Sequence, residues 1–215
     1  MGQITGDHLI DISVGPAIHH LLLIFEFFKG ITILECSDYC VNELEKWKTK
    51  ESDCFDWTHA LSIMEKLQGT SFKGEDIENT LRRKISHILK CDFTKENVTD
   101  PVVLPKADCV LSMFVLHVVS DDHNDYCRNL KKISCMLKLG GHLLLFGVFN
   151  GTYYTVGESK FHVLTSDEKS IKDDLREAGF TIEHLEVIES KTHNDTIDIE
   201  HVWLIKALKV NDVFV

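Results

Sequence analysis

The sequence predicts an open α/β fold, a mostly parallel sheet with an antiparallel edge and helices on both faces. Three observations carry this reading. Short, continuous apolar runs alternate with longer segments of helical spacing, the pattern of parallel strands covered on both sides. Two strand-like runs close the chain without a helix between them, which makes the antiparallel edge. Finally, the first strand, His8-Leu9-Ile10-Asp11-Ile12, runs into Ser13-Val14-Gly15-Pro16, a small-residue turn under a helix start. Backbone N–H groups in such a turn can approach a ligand closely, and a nucleoside-type site is expected there.

Taken in order, Pro16 suits the first turn of a helix over about 17–28, where its missing N–H costs nothing. A second strand, 30–36, ends at Glu35, about twenty residues beyond Gly15, the spacing of an acid that holds a ribose. Ser37-Asp38 is a good N-cap pair for a helix over 39–50 with a charged outer face. Residues 55–68 (Phe55, Trp57, Leu61, Met64, Leu67) show helical spacing. So do residues 74–90, with Ile77, Leu81, Ile85, Ile88 and Leu89 at three- and four-residue intervals. Lys90–Thr94 reads as a strand end and polar loop, and Pro101 and Pro105 bracket the connection to a central strand, 107–114. A helix over 122–138 stops at Gly140-Gly141. The next strand is 142–149, Asn150-Gly151 is a turn, and 153–163 alternates like a strand. Thr165 or Ser166 is the expected cap of a helix to Ala178, with Gly179 at its C-terminus. Strands at 180–188 and 200–208 finish the chain.

At 215 residues the chain suits one domain, 1–215, with a single substantial core. A net charge of -11 argues against binding nucleic acid or an anionic membrane surface, since both need clustered Lys and Arg. Seven cysteines without regular spacing read as thiols of a reducing compartment. Leu21–Phe25 is too short for a membrane span and no leader is visible, so a soluble, cytoplasmic protein is expected.

Several runs occur together in one order: Leu9–Pro16, Glu43-Leu44-Glu45-Lys46-Trp47, Phe55-Asp56-Trp57, Leu89–Asp92 and Leu104-Pro105 with Ala107–Ser112. Tyr126-Cys127-Arg128, Gly140-Gly141 and Tyr153-Tyr154 with Val156-Gly157-Glu158 follow. From Gly6 to Lys209 the chain resembles the nicotinamide, indolethylamine and phenylethanolamine N-methyltransferases. The resemblance implies a class I methyltransferase (Rossmann-like) fold and S-adenosylmethionine as methyl donor. It also implies a small amine or pyridine nitrogen, nicotinamide-like, as acceptor, and a monomer. It implies no catalytic side chain and no metal, because the reaction is a displacement at a sulfonium methyl. The family carries a further N-terminal segment with tyrosines that close over the donor, and the chain is read as starting after it.

Carried over position by position, the resemblance places the donor against Ser13, Val14, Gly15, His19, Glu35, Cys40, Asp92, Phe93 and Met113. Ser13 stands where the family has glycine, and its Cβ is expected to intrude on the donor, so Ser13→Gly is expected to tighten binding. His19 replaces a tyrosine, Glu35 an aspartate, Cys40 an asparagine and Met113 a threonine. Asp92 and the Phe93 backbone match the pair that reads the adenine edge. On the acceptor side, Gly147 replaces an acid, Val163 replaces a serine and Tyr154 is retained. Gly147→Asp is therefore expected to improve binding of an amine or carboxamide. These departures leave an alternative, a catalytically impaired or non-catalytic homologue acting as a binding module. A dinucleotide oxidoreductase is disfavoured because Ser13–Ile18 lacks the third glycine. Asp108 is expected to make a structural hydrogen bond. His117 and His123 are read as solvent-facing, Cys36 and Cys40 as buried thiols, and His19-His20 as unable to share a metal because helical neighbours diverge.

Overall fold

A computed structural model describes residues 4–68 and 74–213. β1 (Gly6–Ser13), β2 (Phe28–Glu35), β3 (Ile85–Lys90), β4 (Ala107–Met113) and the start of the core of β5 (Leu137–Phe149) run parallel, in the order β3-β2-β1-β4-β5. β9 (Ile197–Lys209) then pairs antiparallel with β5, His201 against Phe149 through Leu208 against His142. β8 (Phe180–His193) covers the other side of β9. The short strands β6 (Tyr153–Val156) and β7 (Ser159–His162) extend the sheet beyond the end of β5.

Alternation along the central strands feeds two hydrophobic layers, which is why these strands read as unbroken apolar runs. Ile10, Ile12, Val110, Leu143 and Leu145 pack on one face under α5 (His123–Met136) and α6 (Glu168–Glu177). Leu9, Ile31, Ile33, Cys109 and Leu111 pack on the other with α1 (Asp38–Thr49), α2 (Thr58–Gln68) and α3 (Gly74–Lys84).

Several elements differ from expectation. The helix expected over 17–28 is instead two 3-10 turns, Leu21–Leu23 and Phe25–Phe27. Ile18, Leu21, Leu22, Phe25 and Phe28 are all buried, so the three-to-four spacing reported the covered side correctly but not the helix type. Lys84 Nζ caps the interruption, donating to the carbonyls of Phe25 (2.9 Å) and Phe28 (2.7 Å). The helix expected over 74–90 ends at Lys84, because Ile85–Lys90 pair with β2; Ile85 and Ile88 satisfy both periodicities, and sheet pairing decides. Leu67 belongs to α2, but its side chain lies outside the described residues. Residues 153–163 fold as a hairpin, reversing at Gly157. Asp167, not Thr165 or Ser166, caps α6, in a reciprocal capping box with Ser170. A one-turn helix, α4 (Leu116–Val119), was not anticipated, and β8 and β9 run longer than expected because they support each other along their length.

Candidate active site

The carboxyl ends of β1, β2 and β4 and the loop after β3 meet at one edge of the sheet, the place where open α/β sheets bind ligands. At the end of β1 the chain turns: Val14 N donates to Met113 O (3.1 Å) and Ala17 N to Gly15 O (2.8 Å). Gly15 has φ +81°, and no atom lies within 4 Å of the place a Cβ would take. The left-handed backbone, rather than crowding, makes glycine the fitting residue, and it leaves the turn open in front.

Beneath this turn lies a buried polar chain that sequence reasoning missed. Asp11 is 1% exposed; its Oδ1 accepts from Ser13 Oγ (2.6 Å) and its Oδ2 from His20 Nε2 (2.9 Å). The Ser13 hydroxyl therefore points back into the protein. His19 and His20 do diverge: His19 is exposed and stacks on Trp57, 5.9 Å between ring centroids.

Glu35 is buried at the end of β2. Burial pushes its carboxyl upward, opposed by the backbone N–H groups of Ser37, Cys36 and Gly15. Ser37 N donates to Oε1 at 3.0 Å, whereas Oε2 is buried and without a partner among the described residues. A buried carboxylate oxygen is costly to leave unpaired. A hydroxyl presented from the open side would satisfy it, so Glu35 fits a ribose. After β3, Asp92 Oδ1 accepts from Thr94 Oγ1 (2.6 Å) and Thr94 N (2.9 Å), which holds the carboxyl below its usual range. It stays an acceptor at neutral pH, suited to an exocyclic amine. Phe93 is buried, and its carbonyl accepts from the Nζ of Lys132, a buried anchor that no local sequence pattern reports. Asp92, Phe93, Cys36 and Lys132 line a cleft of about 750 Å³. Cys40 sits on the first turn of α1, its N donating to the Ser37 cap; Cys36 instead faces Cys91, Sγ to Sγ 3.4 Å.

Beside this polar cleft is an apolar cavity of about 300 Å³, bordered by Val14, Phe114, Val148, Tyr154, Val163 and Ile199, with His117 on its wall. Three of the expected site residues, Val14, Tyr154 and Val163, thus gather here, while Met113 lies at its β4 margin, bonded through its carbonyl to Val14. Tyr154 stacks on Phe161 at 5.2 Å. Phe114 is held at φ +63°, a strained backbone for a non-glycine residue and one that occurs preferentially at functional sites. His117 is not solvent-facing: it is 2% exposed and burial lowers it to about 4, so it is neutral. Gly147 pairs with Trp203 across β5 and β9. A Cβ there would fall 2.5 Å from His117 Cε1 and overlap Trp203 Cζ2, so Gly147 is no vacancy awaiting an acid. Asp108 lies at the opposite end of β4 and is structural, accepting from Asp7 N (2.7 Å), His8 N (2.9 Å) and Lys138 Nζ (2.5 Å).

The fold and the two adjoining clefts define a Rossmann-like methyltransferase. The structure is similar to an S-adenosylmethionine-dependent methyltransferase from Methanosarcina mazei, with a TM-score of 0.62 at 16% identity over 98% of this chain and 94% of that one. It is also similar to the N-methyltransferase NodS from Bradyrhizobium japonicum, solved with S-adenosyl-L-homocysteine, with a TM-score of 0.57 at 12% identity over 96% and 80% of the two chains. In sequence, the chain is 38% identical to human nicotinamide N-methyltransferase over 208 residues, 97% of this chain and 79% of that one. It is 36% identical to rabbit (Oryctolagus cuniculus) indolethylamine N-methyltransferase, over 86% and 70%. The model of the NNMT/PNMT/TEMT family matches residues 1–210, and the chain belongs to that family. It is an S-adenosylmethionine-dependent N-methyltransferase. Among the described residues, no helix is long and apolar enough to cross a membrane.

Proposed function

We propose that this protein transfers a methyl group from S-adenosylmethionine to the nitrogen of a small amine or pyridine-type acceptor, nicotinamide-like in size. The reading further takes residues 1–215 as one domain acting as a cytoplasmic monomer, without nucleic acid or membrane partners. It is preferred to the binding-module alternative because Glu35, Gly15 and Asp92 together form a ribose- and adenine-type edge. The observation that carries it is the buried, unpartnered Oε2 of Glu35, which a ribose hydroxyl of the donor would satisfy.

When bound, the donor supplies an electrophilic sulfonium methyl. Glu35 would accept from the ribose hydroxyls, Asp92 from the adenine amine, and the Phe93 backbone would read the adenine edge beside Asp92. The open front of the turn Ser13–Gly15 would take the amino-acid end of the donor. Val14 and Tyr154 border the neighbouring cavity, so the same turn that seats the donor also walls the acceptor. The protein contributes alignment and exclusion of water, and needs no nucleophile or acid–base group for the displacement itself.

Calorimetric titration of S-adenosylmethionine and S-adenosylhomocysteine into the purified chain tests this reading. Binding in the micromolar range is expected, weakened roughly tenfold or more by Glu35→Gln, since a hydrogen bond to a charged group is lost. Wild-type affinity should also fall as acid protonates Glu35, at a pH above the ordinary carboxylate range. Binding that ignores both Glu35→Gln and pH overturns the assignment of Glu35.

A further inference from the structure

The acceptor cavity differs from what an amine-binding site needs. Among the described residues that line it there is no carboxylate and no ammonium. Its polar groups are the two tyrosines, Tyr153 and Tyr154, and His117. Tyr153 is already committed, donating through its hydroxyl to Asn194 O (2.8 Å), with Lys160 Nζ over its ring face at 3.4 Å from the centroid. Glu35 acts on Tyr154 from outside this lining, with its Oε1 engaged by Ser37 N and its Oε2 assigned above to the donor ribose.

His117 is neutral, its ring buried and its Nε2 hydrogen-bonded with Ser166 Oγ at 3.0 Å, while the same hydroxyl lies 3.3 Å from Val148 O. Around the ring stand Tyr126 and His123 from α5 and Trp203 from β9. None of them supplies negative charge.

We propose that this cavity selects uncharged, apolar acceptors and rejects protonated amines, its polar groups being the neutral imidazole of His117 and the Tyr154 hydroxyl. An ammonium entering the cavity loses its hydration and meets neither an anion nor a full set of acceptors. A neutral aromatic nitrogen, or an amine that has shed its proton, meets walls of its own polarity with its lone pair free to attack. Charge stays balanced in the transfer: the attacking nitrogen forms a bond to the methyl carbon, the carbon–sulfur bond breaks, its electron pair stays on sulfur, and the positive charge passes to the product. This inference rests on the donor-site reading above and names its acceptor class.

The test uses the full chain saturated with S-adenosylhomocysteine. 2-Phenylethylamine is titrated calorimetrically from pH 6 to 10, beside its permanently charged trimethylammonium analogue and uncharged quinoline. Amine affinity should rise roughly tenfold per pH unit up to the amine's own pKa, because only the neutral form enters. Quinoline should bind at every pH in this range, and the trimethylammonium analogue should not bind measurably. A pH-independent amine affinity, or binding of the charged analogue, overturns the inference while the donor-site reading stands. So does failure of all three ligands to bind the S-adenosylhomocysteine complex. Failure of S-adenosylhomocysteine itself to bind overturns both.

Discussion

The two halves of the site handle polarity in opposite ways. On the donor side, carboxylates are kept and surrounded: buried Asp11 by Ser13 and His20, buried Glu35 by backbone N–H groups, and partly exposed Asp92 by Thr94. On the acceptor side, no charged side chain lines the cavity among the described residues, with Trp203 and His117 crossing over Gly147 and Val163 closing the wall. Donor recognition concerns one fixed molecule, so its hydrogen-bonding groups are tied to strand ends that also carry the core. The acceptor wall takes most of its residues from α4, β6 and β9, which can change polarity without disturbing the parallel strands.

Gly147→Asp attacks this contrast most directly. The carboxylate would overlap the Trp203 indole, press on His117 and bury an unpaired charge. We expect a loss of about 3–5 kcal/mol of stability from overpacking and desolvation together. Urea unfolding measures it, with Gly147→Ala as the milder case at about 1–3 kcal/mol. Trp203→Phe in the Gly147→Ala background should recover part of that loss, as expected for two groups competing for one volume. A Gly147→Asp protein of wild-type stability that gains affinity for ammonium compounds would erase the distinction between the halves.

His117 offers a somewhat smaller effect, read through pH. Its folded value of about 4 lies below the ordinary 6.5, so the fold favours the neutral ring. The stability this represents is complete above pH 6.5 and is lost as pH falls toward 4. At 1.36 kcal/mol per pH unit, the loss is roughly 3 kcal/mol. His117→Phe should therefore lose less stability between pH 7 and 4.5 than the wild type does, measured by urea unfolding at both pH values. Equal acid sensitivity in the two proteins would mean that the ring is hydrated and the acceptor wall less dry than described.

Much of the donor side is legible in the sequence because local chain geometry produces it. Strand, turn and helix start lie within residues 8–17, and Glu35 and Asp92 each close a strand of the same parallel set. The acceptor side is legible only in its departures from the family. The partnership of Gly147 and Trp203 joins positions 56 residues apart in sequence through antiparallel register, which no local pattern reports. His117 reads as a loop histidine because α4 is a single turn, too short to leave a periodic signal. The helix misassigned over 17–28 and the strand absorbed into 74–90 share one cause. In both, buried positions recur at three or four residues, and tertiary pairing, invisible in one chain segment, chooses the backbone.

Ser13 gives the smallest effect and the sharpest discrimination on the donor side. From the family pattern, its side chain is expected to obstruct the donor, and glycine there to tighten binding. In the fold its hydroxyl donates to the buried Asp11 carboxylate, which His20 also holds. Ser13→Gly should then cost about 1–2 kcal/mol, from a lost hydrogen bond to a charged acceptor and added freedom in the unfolded chain. Donor affinity should stay within about twofold of wild type, because a hydroxyl directed inward blocks nothing in front of the turn. Ser13→Ala separates the two contributions: it removes the hydrogen bond and keeps the Cβ. If Ser13→Gly tightens S-adenosylmethionine binding tenfold while Ser13→Ala does not, the Cβ itself reaches the donor and the turn is narrower than its open glycine suggests. If both variants are less stable and bind the donor as the wild type does, Ser13 belongs to the support beneath the turn, and the polar chain through Asp11 to His20 is what holds Gly15 in place.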